Sequence, residues 1–95
     1  MINVERIRKV LRINHAKLDD EILETIRTAK DELIRVGIPS VMLENESPLI
    51  DEAIKTYCLY SFTDDEKRSE AYFNSFRYQA DCLRKSSKIG VQNEK

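Results

Sequence analysis

The chain has 95 residues, of which 41 % are hydrophobic and 35 % are charged, and its formal net charge is −1. A chain of this length forms one small domain, and a charge near zero does not favour general affinity for nucleic acid, which is typical of strongly basic domains. Two glycines are too few for a phosphate-binding loop or a dinucleotide-binding motif, and no apolar run approaches the ~18 residues of a membrane span.

Two helices are predicted in the first part of the chain. Asn3 is a typical N-cap, and apolar residues recur at helical spacing from Val4 to about Ile13. The second helix is expected to start with Asp19 as its cap and to end just before Gly37. Its buried side is predicted to consist of Ile22, Ile26, Ala29, Leu33 and Val36.

A connector and a third helix follow. Residues 38–46 lack a helical period, and we predict an irregular connector with a short extended piece at residues 41–43. The third helix then starts with Ser47 as its cap and Pro48 at the first helical position, where the missing N–H costs nothing.

An acidic turn, "TDDE", separates the third helix from the fourth. Thr63 or Asp64 is expected to cap this last helix, which is predicted to run over about residues 65–86. The sequence therefore predicts an all-α fold, a small bundle of about four helices with a C-terminal long-helix hairpin. It forms a single helical domain at residues 1–88, followed by a polar tail at residues 89–95.

All seven aromatic rings of the chain lie on the two arms of this predicted hairpin. Rings on antiparallel arms can pack across the hairpin, but seven are too many to share one face and one small core. We therefore expect a division between the core and a protein interface, where Tyr and Phe are favoured. The interface candidates among the aromatic residues are Tyr57, Tyr60, Phe62, Tyr72 and Tyr78.

Charge is distributed unevenly along the chain. Residues 1–18 sum to +4, residues 19–56 to −6 and residues 57–95 to +1. Taken alone, a basic stripe on the first helix is most often a solvated face; its functional alternatives are an acidic neighbouring copy or DNA. The net charge favours the neighbour over DNA. This basic stripe consists of Arg6, Arg8, Lys9 and Arg12.

No residue pattern indicates catalysis, a metal site or a cofactor. His15 and two cysteines 24 residues apart do not have the paired short spacings of a zinc site, and His15 is expected at a helix end or on the surface. The acidic clusters at residues 19–21 and 64–66 both fall at predicted helix starts, where they serve as caps. The chain is therefore not expected to be an enzyme.

The cysteines are predicted to be free thiols, buried or half-buried, in a reducing compartment. The hairpin register places Cys58 and Cys82 further apart than the ~7 Å Cα separation that a disulfide tolerates. A helix-turn-helix regulator would need a basic second helix, whereas residues 20–36 carry more acids than bases.

The hairpin also carries a familiar pattern: an "AI..Y....F" helix, an acidic turn and an aromatic-rich helix. The matching residues are Ala53, Ile54, Tyr57, Phe62, Asp64, Asp65, Tyr72, Phe73, Phe76, Leu83 and Ser86. The layout resembles the head–tail connector (adaptor, DNA-packaging) proteins of long-tailed bacteriophages and prophages, and the resemblance covers about residues 4–88.

The resemblance implies a structural virion protein that assembles as a ring below the portal, extends the DNA channel and docks further joint or tail proteins. The implied partners are copies of the chain itself, the portal protein and a downstream head-completion or tail protein, with at most weak non-specific contact with DNA and no membrane. The implied location is the host cytoplasm during assembly and then the head–tail joint. The alternative is a generic small helical protein–protein adaptor unrelated to phage.

Overall fold

The computed structural model describes residues 2–44 and 47–93, with side chains through Lys85. The described residues contain no strand, and the fold is all-α, as predicted. The molecule is elongated, with extents of 49 × 27 × 18 Å along its principal axes. Its helices are α1 (Val4–Leu11), α2 (Asp19–Arg35), α3 (Ser40–Glu44), α4 (Pro48–Phe62) and α5 (Glu66–Asn93).

The start of α1 is capped as predicted, because the Asn3 side chain accepts a hydrogen bond from the backbone N–H of Arg6 at 2.9 Å. The helix ends two residues earlier than predicted. Arg12 adopts the left-handed conformation (φ 60°), and the backbone N–H of Ile13 donates to the carbonyl of Arg8 at 2.9 Å. This closure normally uses glycine, so Arg12 holds a conformation that side chains with a Cβ rarely adopt.

The predicted capping role of Asp19 is wrong. Leu18 occupies the capping position and makes no side-chain hydrogen bond to the helix. The Asp19 carboxylate instead faces α1, where its Oδ1 atom lies 3.0 Å from Nε of Arg8. A basic side chain from another helix therefore competes successfully for the carboxylate that the local pattern assigned to a cap.

The end of α2 depends on Gly37, as predicted. Gly37 has φ 109°, and the backbone N–H of Ile38 donates to the carbonyl of Leu33 at 3.0 Å. A Cβ atom at Gly37 would also lie 3.3 Å from Cδ of Arg84. Both the backbone conformation and the close approach of α5 therefore favour glycine at this position.

The connector after α2 differs from its prediction. The expected extended piece is a single helical turn, α3, in which the backbone N–H of Met42 donates to the carbonyl of Pro39 at 3.0 Å. Leu43 is buried and joins the core, whereas Val41 is 59 % exposed. Leu43, with the partly buried Met42 beside it, anchors this turn to the core, and two adjacent apolar residues produce no helical period in the sequence.

The hairpin forms as predicted, with a shifted cap. The Ser47 side chain caps α4 by accepting a hydrogen bond from the backbone N–H of Ile50. Asp65 caps α5, one residue past the predicted candidates, and accepts from two backbone N–H groups of the first turn at 2.9 and 3.2 Å. The structure continues α5 to Asn93, seven residues beyond the predicted end and into the segment predicted as a polar tail.

The core is organised around α4, which packs against α5 on one side and against α1 and α2 on the other. The fully buried large side chains are Ile7, Ile22, Leu33, Ile38, Ile54 and Cys58. Since α2 and α5 both rest on α4 and make few contacts with each other, a groove runs between them.

Candidate functional site: the grooves beside the long helix

Aromatic rings pack across the hairpin, as the sequence predicts. The centroids of Tyr57 and Phe76 lie 5.0 Å apart with an edge-to-face angle of 66°, and those of Tyr60 and Phe73 also lie 5.0 Å apart. Tyr57 contacts Tyr60 along α4 at 5.7 Å. Edge-to-face pairs of this kind stabilise a core beyond the area that they bury, so these four rings join α4 to α5.

The remaining rings differ in exposure. Phe62 is half-buried against the core and Tyr72 is half-buried. Tyr78 is 71 % exposed, and Phe73 keeps 37 % of its surface exposed despite its contact with Tyr60. The expectation that some rings face outward is confirmed, but of the five interface candidates only Tyr78 is exposed and the other four are half-buried. Tyr78 is also the most exposed large apolar residue among the described ones. The participation of the five candidates in an interface stays a prediction.

Two grooves lie on either side of Tyr78, and its side chain lines both. The larger one, which we name the α2–α5 groove, has a volume of about 600 Å³. Its apolar lining comes from α2 and α5 and includes Val36, Phe76 and Ala80. Its charged lining consists of Glu32, Arg35, Arg77, Asp81 and Arg84.

The smaller groove, which we name the α4–α5 groove, has a volume of about 230 Å³ and an almost wholly apolar lining that includes Leu49, Cys82 and Leu83. Leu49 is 67 % exposed at the first turn of α4. The amide oxygen Oε1 of Gln79 is buried beside this groove and has no hydrogen-bond partner among the described residues. The groove therefore joins exposed apolar surface to one unsatisfied acceptor.

The two carboxylates of the α2–α5 groove are already bound. Arg35 donates to both carboxylate oxygens of Glu32, with its Nη2 atom 2.8 Å from Oε2; this hydrogen bonding lowers the pKa of Glu32 and raises that of Arg35. Arg84 and Lys85 both bind Asp81, and their hydrogen bonds lower the pKa of Asp81. Each carboxylate is therefore held in its ionised form by its own basic partners.

Arg77 is the exception in this groove. Its Cζ atom lies 5.9 Å from the centroid of the Phe73 ring, within the range of a cation–π contact. No ion pair joins Arg77 to a carboxylate in the part of the chain that the structure describes. An exposed guanidinium stacked on an exposed ring is thus available for an outside acceptor.

Some residues of the basic stripe form ion pairs within the molecule. Arg8 pairs with Asp19, and Arg6 Nη1 lies 3.5 Å from Oδ2 of Asp51 on α4. The members that are exposed and make no ion pair with the described residues are Lys9 and Arg12. Whether the stripe contacts a partner stays a prediction, but only half of it has an unpaired charge.

The thiols and the histidine complete the candidate groups. Both cysteines are free, as predicted; Cys58 is buried, and burial raises its pKa to about 12. The prediction of a buried or half-buried thiol is wrong for Cys82, which is exposed and lines the α4–α5 groove. His15 is on the surface, as predicted, and its Nδ1 accepts from the backbone N–H of Lys17. The described residues contain no group of three or more side chains placed to hold a metal ion.

Sequence reasoning missed two residues of the grooves. Leu49 fits the apolar period of α4, and that period gives no sign that this position lies at the edge of the bundle. Arg77 carries a weak signal, because it follows Phe73 by four residues and therefore lies on the same helix face. Neither residue stands out without its neighbours on other helices.

Comparison of the chain with family models, curated proteins and solved structures finds no match. None of the helices in the described part of the chain contains the continuous apolar stretch that a membrane span needs.

Proposed function

We propose that the chain is a structural assembly subunit, and specifically a head–tail connector of a long-tailed bacteriophage or prophage. It forms a ring below the portal, extends the DNA channel and docks a further joint or tail protein. It acts through its surfaces rather than as an enzyme, uses no cofactor and makes at most weak non-specific contact with DNA. It assembles in the host cytoplasm and stays at the head–tail joint of the virion. The sequence resemblance of residues 4–88 supports this proposal.

Tyr78 carries the structural part of the proposal. Its ring is 71 % exposed on the ridge between two grooves, close to the exposed Leu49. A large aromatic side chain in this setting is typical of a protein interface, where Tyr supplies a rigid apolar contact and a hydroxyl group. Because Tyr78 and Leu49 line the same groove, their exposed surfaces belong to one apolar site.

The shape of the hairpin supports a subunit with several neighbours. The 28 residues of α5 make a helix of about 42 Å, against 15 residues in α4. The ring contacts across the hairpin place the start of α4 level with about residue 85 of α5, so the last two turns of α5 extend past it. An elongated subunit offers two different surfaces to two neighbours, as a cyclic ring requires.

The test is the mass of the protein in solution, measured by light scattering alone and with the portal protein encoded by a neighbouring gene. We expect a ring on the portal, and we expect Tyr78→Ser to weaken ring formation. The matched control is Leu23→Ser, which replaces a 39 % exposed apolar residue at the start of α2. A chain that stays monomeric with the portal contradicts the proposal, and a genome without portal, capsid and tail genes nearby favours the generic adaptor.

A further inference from the structure

The α2–α5 groove has an unbalanced positive charge. Its lining contains three arginines and two carboxylates, an excess of +1, and both carboxylates are already bound by basic neighbours. The unpaired cation is Arg77, which makes a cation–π contact with Phe73, and both residues line the groove. A segment that brings a carboxylate next to an apolar side chain is complementary to this combination.

The chain itself carries such a segment, the acidic turn that joins α4 to α5 (residues 62–66). It presents three exposed acids in succession after the half-buried Phe62. Asp65 is engaged as the helix cap, whereas Asp64 and Glu66 form no ion pair with any described residue. The turn therefore has two carboxylates to offer and an aromatic ring beside them.

The turn cannot reach the groove of its own molecule. Glu66 and Arg77 are eleven residues apart on the same helix, which is about 17 Å. Because α5 is continuous between them, this separation is fixed. A contact between the acidic turn and Arg77 must therefore join two copies of the chain.

We propose that the α2–α5 groove receives the acidic turn of a second copy of this chain, with Arg77 bound to Asp64 or Glu66. In the ring of the proposed function, each copy places its turn in the groove of one neighbour and receives the turn of its other neighbour, which makes the contact heterologous. Phosphate groups of DNA fit this groove less well, because they bring no apolar side chain to the apolar part of its lining. The inference rests on the proposed function and specifies the contact that builds the ring.

The test uses charge reversal on each side of the contact. Arg77→Glu disables the groove, and Asp64→Lys with Glu66→Lys disables the turn. Each variant alone is expected to weaken self-association by roughly 30-fold or more. Self-association is measured by sedimentation, at protein concentrations up to the solubility limit and in the presence of the portal protein. A chain carrying all three changes is expected to assemble again, since the charges are exchanged rather than lost.

Mixing the two single-sided variants gives a sharper outcome. The intact groove of the turn variant accepts the intact turn of the groove variant, and the two reversed patches carry opposite charges. The mixture is therefore expected to assemble with the two variants in equal proportion, although neither variant assembles alone. The matched controls are Lys17→Glu for the groove and Asp20→Lys with Glu24→Lys for the turn, which reverse exposed charges elsewhere. Circular dichroism confirms that each variant keeps its helices.

Three outcomes overturn the inference. Rings that survive Arg77→Glu and the turn reversal leave the proposed function standing but remove this contact from it. Loss of portal binding with unchanged self-association assigns the groove to the portal instead of a second copy. A parent chain that never self-associates, alone or with the portal, refutes both the contact and the ring.

Discussion

The N-terminal helices and the C-terminal hairpin differ in how many of their clustered side chains find partners within the molecule. Half of the basic stripe is paired within the molecule, since Arg6 and Arg8 form ion pairs with Asp51 and Asp19 of other helices. The other half, Lys9 and Arg12, is exposed and makes no ion pair with the described residues. The aromatic residues of the hairpin divide, and the surplus faces outward, with Tyr78 at 71 % exposure. A cluster in the sequence therefore indicates an interface only where the fold leaves its members without partners.

The largest contrast within the hairpin concerns its two thiols. Cys82 is exposed, whereas Cys58 is buried with its pKa raised to about 12 by burial. A thiol reagent at pH 8 is expected to modify Cys82 directly and Cys58 only through unfolding, about a thousandfold or more slowly, since unfolding costs at least about 5 kcal/mol. The measurement is the rate of modification of Cys82→Ser against the parent. In denaturant without reductant, the parent should show two free thiols at similar rates.

The buried thiol of Cys58 makes the stability of the hairpin depend on pH in the alkaline range. The unfolded thiol ionises near its ordinary pKa of 9.0 and the folded one only at about 12. The neutral thiol is therefore favoured by the fold, and its contribution to stability is fully present below pH 9 and is lost as the pH rises towards 12. Urea unfolding of the parent and of Cys58→Ala over this range measures the effect. Parallel pH profiles for the two proteins would contradict it.

The next largest effect is the difference in unfolding free energy between removing a buried ring and removing a partly exposed one. Phe76 is 3 % exposed and Phe73 is 37 % exposed, although each contacts a tyrosine of α4 at 5.0 Å. Phe76→Ala is expected to lower the free energy of unfolding by about 3–5 kcal/mol, and Phe73→Ala by about 1 kcal/mol. Urea unfolding monitored by circular dichroism gives both values. Equal losses would mean that the two rings contribute equally to the core.

A smaller effect tests the paired charges of the N-terminal helices. Arg8 and Asp19 keep 30 % and 32 % of their side-chain surfaces exposed, and a double-mutant cycle with Arg8→Ala and Asp19→Ala is expected to give a coupling of about 1 kcal/mol that falls with added salt. The matched control is the pair of Lys55 and Glu52 within α4, in which the carboxylate side chain is 53 % exposed; about 0.3–0.5 kcal/mol is expected for it. A coupling near zero would return the stripe to the solvated-face interpretation.

The smallest effect concerns the end of α1. Arg12 has φ 60°, so Arg12→Gly is expected to raise the free energy of unfolding by about 0.5–1 kcal/mol. Lys9→Gly is the control, because it places the same residue inside the helix and should lower stability by about 1 kcal/mol. Thermal unfolding of the two variants should therefore shift in opposite directions, and a shared direction would contradict the left-handed closure at Arg12.

The candidate site was only partly predictable. The sequence places Tyr57, Tyr60 and Tyr78 on the hairpin and predicts that some rings face outward. It does not show that Tyr78 stands between two grooves, since each groove needs a wall from another helix. Arg77 becomes distinctive only when its neighbours are known, because Arg35 and Arg84 have carboxylate partners and it has none among the described residues.

The sequence by itself determined the features that depend on a few neighbouring residues. Asn3 and Ser47 cap their helices and Gly37 ends α2, because backbone hydrogen bonds within one turn decide these positions. Apolar periodicity likewise determined the helices of the bundle and the antiparallel hairpin. Only the tertiary structure decided the conformation at positions where a group from a distant part of the chain competes with a local partner. Asp19 leaves its expected cap for Arg8, and Leu43 folds residues 40–44 into a helical turn by entering the core, since both choices depend on groups that are distant in the chain.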